Sequence, residues 1–383
     1  MRATQIRCLC VAALVVVAAC SSDDEAEPPD TETTTTTVAE HAYPGDEWAT
    51  VDPGETGFDP AGLAHLADTA EAAGSSCLVV TRDGELVDQH DWQGTAPDSP
   101  REAFSVTKSI TSTLFGIAQD QDLVALDDPA AAYIPEWEGT ESEAVTVENL
   151  LRNDSGRHWD FGTDYGGMAI NAADKTAFAI GLGQDAAPGE VWAYNNSAIQ
   201  TLSAVLGAAT GEDPVDFART QLFEPVGMRH SELSTDASGN ALTYAGLKTT
   251  CLDLARFGYL MLRDGSWEGE QVVSADYVEQ ATGRSSTPLN AAYGLLWWLN
   301  REGPIGSPRM ATTGVADAAV ADGQLVPGAP EDVFWALGLN NQIVTVIPSE
   351  GIVAVRMGPK PPAEAPFTQT ELTEGVLAAL VAP

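Results

Sequence analysis

Strand-like segments cluster at the two ends of this 383-residue chain, and a helix-rich stretch lies between them. That order constrains the fold more than any single motif, because a lone hairpin or strand cannot bury its apolar face. Cys77-Leu78-Val79-Val80-Thr81, Arg82-Asp83-Gly84 and Glu85-Leu86-Val87 read as a hairpin with an Asp-Gly turn. Further strand patterns come late, at Leu295–Leu299, Val333–Gly338, Ile343–Ile347 and Ile352–Arg356, the last two joined by Pro348-Ser349-Glu350-Gly351. Between about 125 and 285 the patterns are helical: Val147–Leu151, Ala198–Ala209, Pro214–Leu222 and Thr250–Leu262. Thr250 and Asp253 stand at capping-box spacing, ahead of a stripe of Leu254, Phe257 and Met261. Helices are also predicted from Asp59-Pro60 to Gly74, from near Ser105, and over Thr368–Val381. One sheet must therefore be assembled from distant segments, with a mainly helical subdomain inserted between them. This is α+β architecture, and the cleft between the two parts is the natural place for a site.

The N-terminus reads as a targeting segment, residues 1–19. Arg2 and Arg7 precede an apolar run from Cys8 to Ala19, too short to span a bilayer. Val17-Ala18-Ala19-Cys20 resembles a bacterial lipoprotein cleavage site and makes Cys20 the expected lipidated residue, with plain signal cleavage as the alternative. The expected location is extracytoplasmic, held to the cell membrane by acyl chains. Residues 20–55, acidic with a Thr33–Thr37 run, read as a disordered tether, and 56–383 as the folded domain. A net charge of −38 disfavours nucleic acid and anionic partners. Outside the leader and the lipidation site only Cys77 and Cys251 remain; they can pair in an oxidising compartment or stay as buried thiols. The five histidines are scattered, so neither a metal site nor another cofactor is expected.

Chemistry enters with Ser105-Val106-Thr107-Lys108 at a helix start. A lysine one turn beyond a serine shares its face, and a serine hydroxyl needs a neighbouring base before it becomes a useful nucleophile. Lys108 is one of only four lysines in the chain. Free N–H groups at the helix N-terminus favour developing negative charge beside Ser105. Tyr194-Asn195-Asn196 follows 89 positions after Ser105, at a second loop-to-helix junction. Trp159, Phe161, Tyr165, Trp297 and Trp298 are candidates for an apolar pocket; for the Trp297-Trp298 pair, core packing is an equal reading. Asp154-Ser155-Gly156 reads as a turn rather than a catalytic group.

Together with Leu150–Gly156 and Asp253–Gly258, these motifs resemble the β-lactamase/transpeptidase-like serine hydrolases, on the branch of class C β-lactamases, D-Ala-D-Ala carboxypeptidases and related esterases. Tyr293–Trp298 and Ala336–Gln342 are most similar to the 6-aminohexanoate-dimer hydrolase and carboxylesterase members. The resemblance implies an antiparallel sheet flanked by helices, Ser105 as nucleophile, Lys108 holding or accepting its proton, and Tyr194 as base and later acid. Asn196 would orient Lys108 and the substrate. The Ser105 N–H and the Leu339 N–H just after Gly338 would form the oxyanion hole. Whether Lys108 or Tyr194 takes the proton stays open, since the two titrate together; proximity to the cation is expected to depress the tyrosine. One departure stands out. Where penicillin-recognising enzymes carry Lys/His-Thr/Ser-Gly, this chain has Ala336-Leu337-Gly338, while Thr312-Thr313-Gly314 lacks an immediately preceding basic residue and a following strand pattern. The leading expectation is hydrolysis of small carboxylic esters or linear amides. The alternatives are a β-lactamase or D-Ala-D-Ala carboxypeptidase acting on cell-wall peptides, and a catalytically silent binding lipoprotein.

Overall fold

The computed structural model describes residues 42–310, 312–313 and 321–381. The leader, Cys20 and most of the proposed tether lie outside these residues, as does Gly314. A six-stranded antiparallel sheet forms the centre. Its strands are β1 (Cys77–Arg82), β2 (Glu85–Asp91), β3 (Trp298–Leu299), β4 (Phe334–Gly338), β5 (Gln342–Ile347) and β6 (Ile352–Met357). Their order is β2-β1-β6-β5-β4-β3, so the chain's last strands pair with its first hairpin, Val79 opposite Val355.

Both sheet faces are covered, which is why β5 and β6 are buried at every position. Alternation along β6 and its neighbours puts Val344 and Val353 on one face and Trp335 on the other. Helix α3 (Cys251–Leu262; α1 and α2 are Pro60–Ala72 and Val106–Asp120) packs on the first face. A Cβ at Gly258 of α3 would come within 2.5 Å of Val353, so only glycine lets the helix lie this close. On the other face the Trp335 indole donates to Thr373 of the closing helix α4 (Gln369–Ala378) at 3.1 Å. The Cys77–Cys251 disulfide ties β1 to the N-terminus of α3, with Cα atoms 6.4 Å apart.

The helical region shares one continuous apolar core with the sheet. Its segments are shorter than the periodicity predicts. The Ala198–Ala209 stretch is split into Asn196–Gln200 and Leu202–Thr210, and Pro214–Leu222 passes into a π-helical turn at Arg219. Of Leu295–Leu299 only Trp298 and Leu299 join the sheet. Leu296 takes a left-handed backbone (φ 60°), and its carbonyl accepts the Ser109 hydroxyl instead of a ladder bond.

Residues 42–55, assigned to the tether from composition, belong to the folded part of the chain. From Ala42 the chain is fastened to the domain: the Tyr259 hydroxyl donates to the Ala42 carbonyl at 2.8 Å and Arg256 to the Pro44 carbonyl at 2.9 Å. Tyr43 packs edge-on against Tyr259 and Trp267, and residues 49–51 hydrogen-bond with Leu86. A few aromatic anchors suffice to order an otherwise acidic segment, and averaging over 20–55 hides them.

Candidate active site

Ser105 closes the strand Arg101–Phe104 and caps α2, a helix buried on all sides from Val106 to Ala118. Phe104 holds a left-handed backbone (φ 49°), unusual for a bulky residue, and this sharp strand-to-helix turn leaves the half-buried Ser105 facing the cleft. One turn on, Lys108 is only 1% exposed. Its Nζ donates to Ser105 Oγ at 3.0 Å, Asn196 Oδ1 at 2.7 Å and the Tyr244 carbonyl at 2.9 Å. Burial pulls the Lys108 amine down to about 7, against the opposing pull of Asp164. A substantial neutral fraction therefore exists at physiological pH, with a lone pair available for the serine proton.

Tyr194 completes the triad in space. Lys108 Nζ lies 4.6 Å from its ring centre, and Tyr194 lines the same cavity as Ser105. Trp298 stacks on the ring at 5.8 Å. The expected depression of this phenol is not found. Burial pushes it well above its ordinary value, which the neighbouring Ser105 hydroxyl only partly offsets, so Tyr194 keeps its proton at neutral pH. The Leu150–Gly156 stretch supports the loop that carries it: Asn153 Oδ1 accepts the Asn195 N–H, and the Asn153 carbonyl accepts the Ala193 N–H. Asp154 is absorbed in that scaffold, accepting from Asn149 and facing Arg152.

Asn196 does hold Lys108, and a residue that sequence reading missed holds Asn196. Asp164, on the π-helical segment Gly162–Asn171, accepts from Asn196 Nδ2 and from the Ser197 N–H and hydroxyl, each at 2.7 Å. It is buried 32 positions away in sequence, and no local motif marks it.

Opposite Ser105 the edge of β4 forms the second wall. A Cβ on Gly338 would stand 2.3 Å from the Ala103 carbonyl, so the glycine lets β4 press against the Ser105 strand. Among the described residues neither the Ser105 nor the Leu339 N–H meets a backbone acceptor. A cavity of about 420 Å³ lies between the walls, lined by Ser105, Tyr194, Phe161, Tyr165, Trp298, Leu337, Gly338 and Leu339 together with Pro308 and the cation Arg309. Trp297 is instead wholly buried against Phe257 and Phe334, and Trp159 lines a separate hollow. Thr312–Thr313 pairs with Val191–Trp192, not with the main sheet. A larger hollow of about 660 Å³ around Trp137 and Arg157 contains no serine–base pair. Among the described residues no cluster of three His, Cys, Asp or Glu side chains could hold a metal.

The family profile named Beta-lactamase matches residues 32–373. The chain belongs to this beta-lactamase family. A curated relative is the 6-aminohexanoate-dimer hydrolase of Paenarthrobacter ureafaciens, 25% identical over 62% of this chain and 67% of its own length. Penicillin-binding protein 4 of Amycolatopsis lactamdurans is 28% identical over 52% of this chain; the match spans 62% of that protein, less than two thirds. A solved Bacillus anthracis structure, provisionally named as a 6-aminohexanoate-dimer hydrolase, superposes with a TM-score of 0.64 at 20% identity, covering 82% of this chain and 80% of its own. This beta-lactamase-family chain is a serine hydrolase of the beta-lactamase fold.

Proposed function

We propose that the chain hydrolyses small carboxylic esters or linear amides through an acyl-enzyme on Ser105. The observation that carries this reading is the Lys108 amine, dehydrated and 3.0 Å from Ser105 Oγ at the floor of a largely apolar cavity. Ser105 Oγ bonds to the substrate carbonyl carbon while its proton passes to Lys108 Nζ. The resulting oxyanion is met by the Ser105 and Leu339 N–H groups, which can contribute several kcal/mol of barrier reduction. Collapse breaks the bond to the alcohol or amine, which leaves with a proton supplied through Tyr194 and restored from Lys108. Water then cleaves the acyl-enzyme along the same proton route. Asn196, backed by Asp164, keeps Lys108 aimed at the serine.

The β4 edge supports an uncharged group at the adjoining subsite, because Ala336 faces the core and Leu337 offers no hydroxyl. We extend the proposal to location. The Val17–Cys20 pattern and the Cys77–Cys251 disulfide support a lipid-anchored, extracytoplasmic enzyme. The test of activity is Ser105→Ala, expected to cut turnover of short-chain p-nitrophenyl esters by at least about 10⁴-fold with the melting curve unchanged. Undiminished turnover would remove Ser105 from the mechanism. The similarity to a penicillin-binding protein favours cell-wall peptides as a second reading, which labelled penicillin tests by stable acylation of Ser105.

A further inference from the structure

Arg356 on β6 is a fully buried cation, and its hydrogen-bond acceptors are all neutral oxygens. Its Nε donates to Ser75 Oγ at 2.9 Å and its Nη2 to the Pro359 carbonyl at 2.9 Å. The Nη1 donates to the carbonyls of Asn340 and Asn341 at 2.8 and 2.9 Å. No carboxylate pairs with it among the described residues. Desolvating a guanidinium this way is costly, and an apolar side chain of similar volume would avoid the cost. The location of its acceptors gives the compensation. Asn340 and Asn341 are consecutive left-handed residues (φ 64° and 59°) in the turn between β4 and β5, directly after Leu339. The carbonyl of Leu339 itself is taken by Gln342 Nε2 at 3.1 Å, and Gln342 is locked in turn by a two-way bond with Gly358. All three carbonyls of the turn are thus held from beneath, while the Leu339 N–H is left without a backbone acceptor among the described residues.

We propose that Arg356 is a positioning residue for the oxyanion hole: its Nη1 grips the Asn340 and Asn341 carbonyls and so fixes the turn that presents the Leu339 N–H to the transition state. The inference rests on the reading of Ser105 as nucleophile and Leu339 as donor. The turn is short, exposed at Leu339 and built from strained residues, so without a clamp its peptide planes can rotate. A donor displaced by a fraction of an ångström stabilises the ground state as well as before but the oxyanion less well.

The experiment compares wild type with Arg356→Gln, Arg356→Lys and Gln342→Met. Active sites are counted with a fluorophosphonate, then kcat and KM are measured per titrated site on a p-nitrophenyl ester. Affinity is measured for a trifluoromethyl ketone, whose adduct with serine presents an oxyanion. For Arg356→Gln, kcat per site should fall about 10- to 100-fold with KM within about threefold, and ketone affinity should fall in parallel. Arg356→Lys, which still donates to carbonyls, should recover part of the loss. Should Arg356→Gln fail to fold, Arg356→Lys and Gln342→Met carry the test, each with a loss of about three- to tenfold in the same two readouts. A purely structural role would lower the melting temperature but leave kcat per site and ketone affinity within about twofold, and that result overturns the inference. Wild type that neither labels nor turns over overturns the Ser105 reading itself, and this inference with it.

Discussion

The two walls of the cavity differ in chemistry. The wall carrying Ser105 is a dense polar lattice, in which Lys108, Asn196, Asp164 and Ser197 satisfy one another inside the core. The β4 wall is apolar, with Ala336 in the core, Leu337 half-buried and Leu339 60% exposed. In the proposed mechanism the first wall does chemistry that many acyl substrates share and the second selects the substrate; Ala336-Leu337-Gly338 on it carries neither cation nor hydroxyl. A buried polar network is costly to alter piecemeal because each orphaned group keeps its desolvation penalty. A wall that offers mainly backbone N–H groups and apolar contacts can change its side chains while the chemistry survives.

The largest expected effect that probes this contrast is Lys108→Met, which removes the base while filling its volume. Ester kcat/KM should fall about 10³-fold. A loss under tenfold would move the proton to Tyr194 and dissolve the polar wall as a unit. Next comes Gly338→Ala. Its methyl would collide with the Ala103 carbonyl, so kcat should drop about 10²-fold as the two walls are forced apart. Steady-state kinetics beside a melting curve checks this, and wild-type kcat would mean that the walls need not meet.

The pH profile is sharper though smaller. Lys108 is held near 7, below the usual lysine range, and under the proposed mechanism its neutral form is the active one. Ester kcat/KM should therefore rise about tenfold per pH unit below 7 and level off above it. By the same sign Lys108 contributes stability at high pH, and this is lost as pH falls from about 10.4 toward 7. A kcat/KM profile still rising beyond pH 9 would contradict the dehydrated lysine. The smallest effect is expected from Leu337→Thr, which restores the hydroxyl position without a cation. The rate of labelling by penicillin should rise less than about threefold, the hydroxyl alone contributing about one hydrogen bond at most. A larger gain would show that the apolar wall discriminates through a single side chain.

The polar wall was the more legible of the two in the sequence. Ser105 and Lys108 are one helical turn apart, a local relation that spacing states directly, and Tyr194 with Asn196 follows from a second local motif. Gly338 and Leu339 could be placed only through family resemblance, since nothing in Ala336-Leu337-Gly338 announces a site. Asp164 was invisible, because it meets Asn196 through a π-helical segment that periodicity does not foresee.

By itself the sequence determined the elements that repeat at fixed intervals: the Asp83-Gly84 hairpin, the late strands, the helices α1 to α4, and the serine–lysine pair. The tertiary structure decided the rest. It joined β1 to β6, paired Cys77 with Cys251, fastened residues 42–55 to the domain, and turned the Asn340 and Asn341 carbonyls onto Arg356. It also set protonation, lowering Lys108 and raising Tyr194. The physical reason is common to all of these. Periodicity and capping act between residues a few positions apart, whereas burial and desolvation depend on which distant segments close over a group.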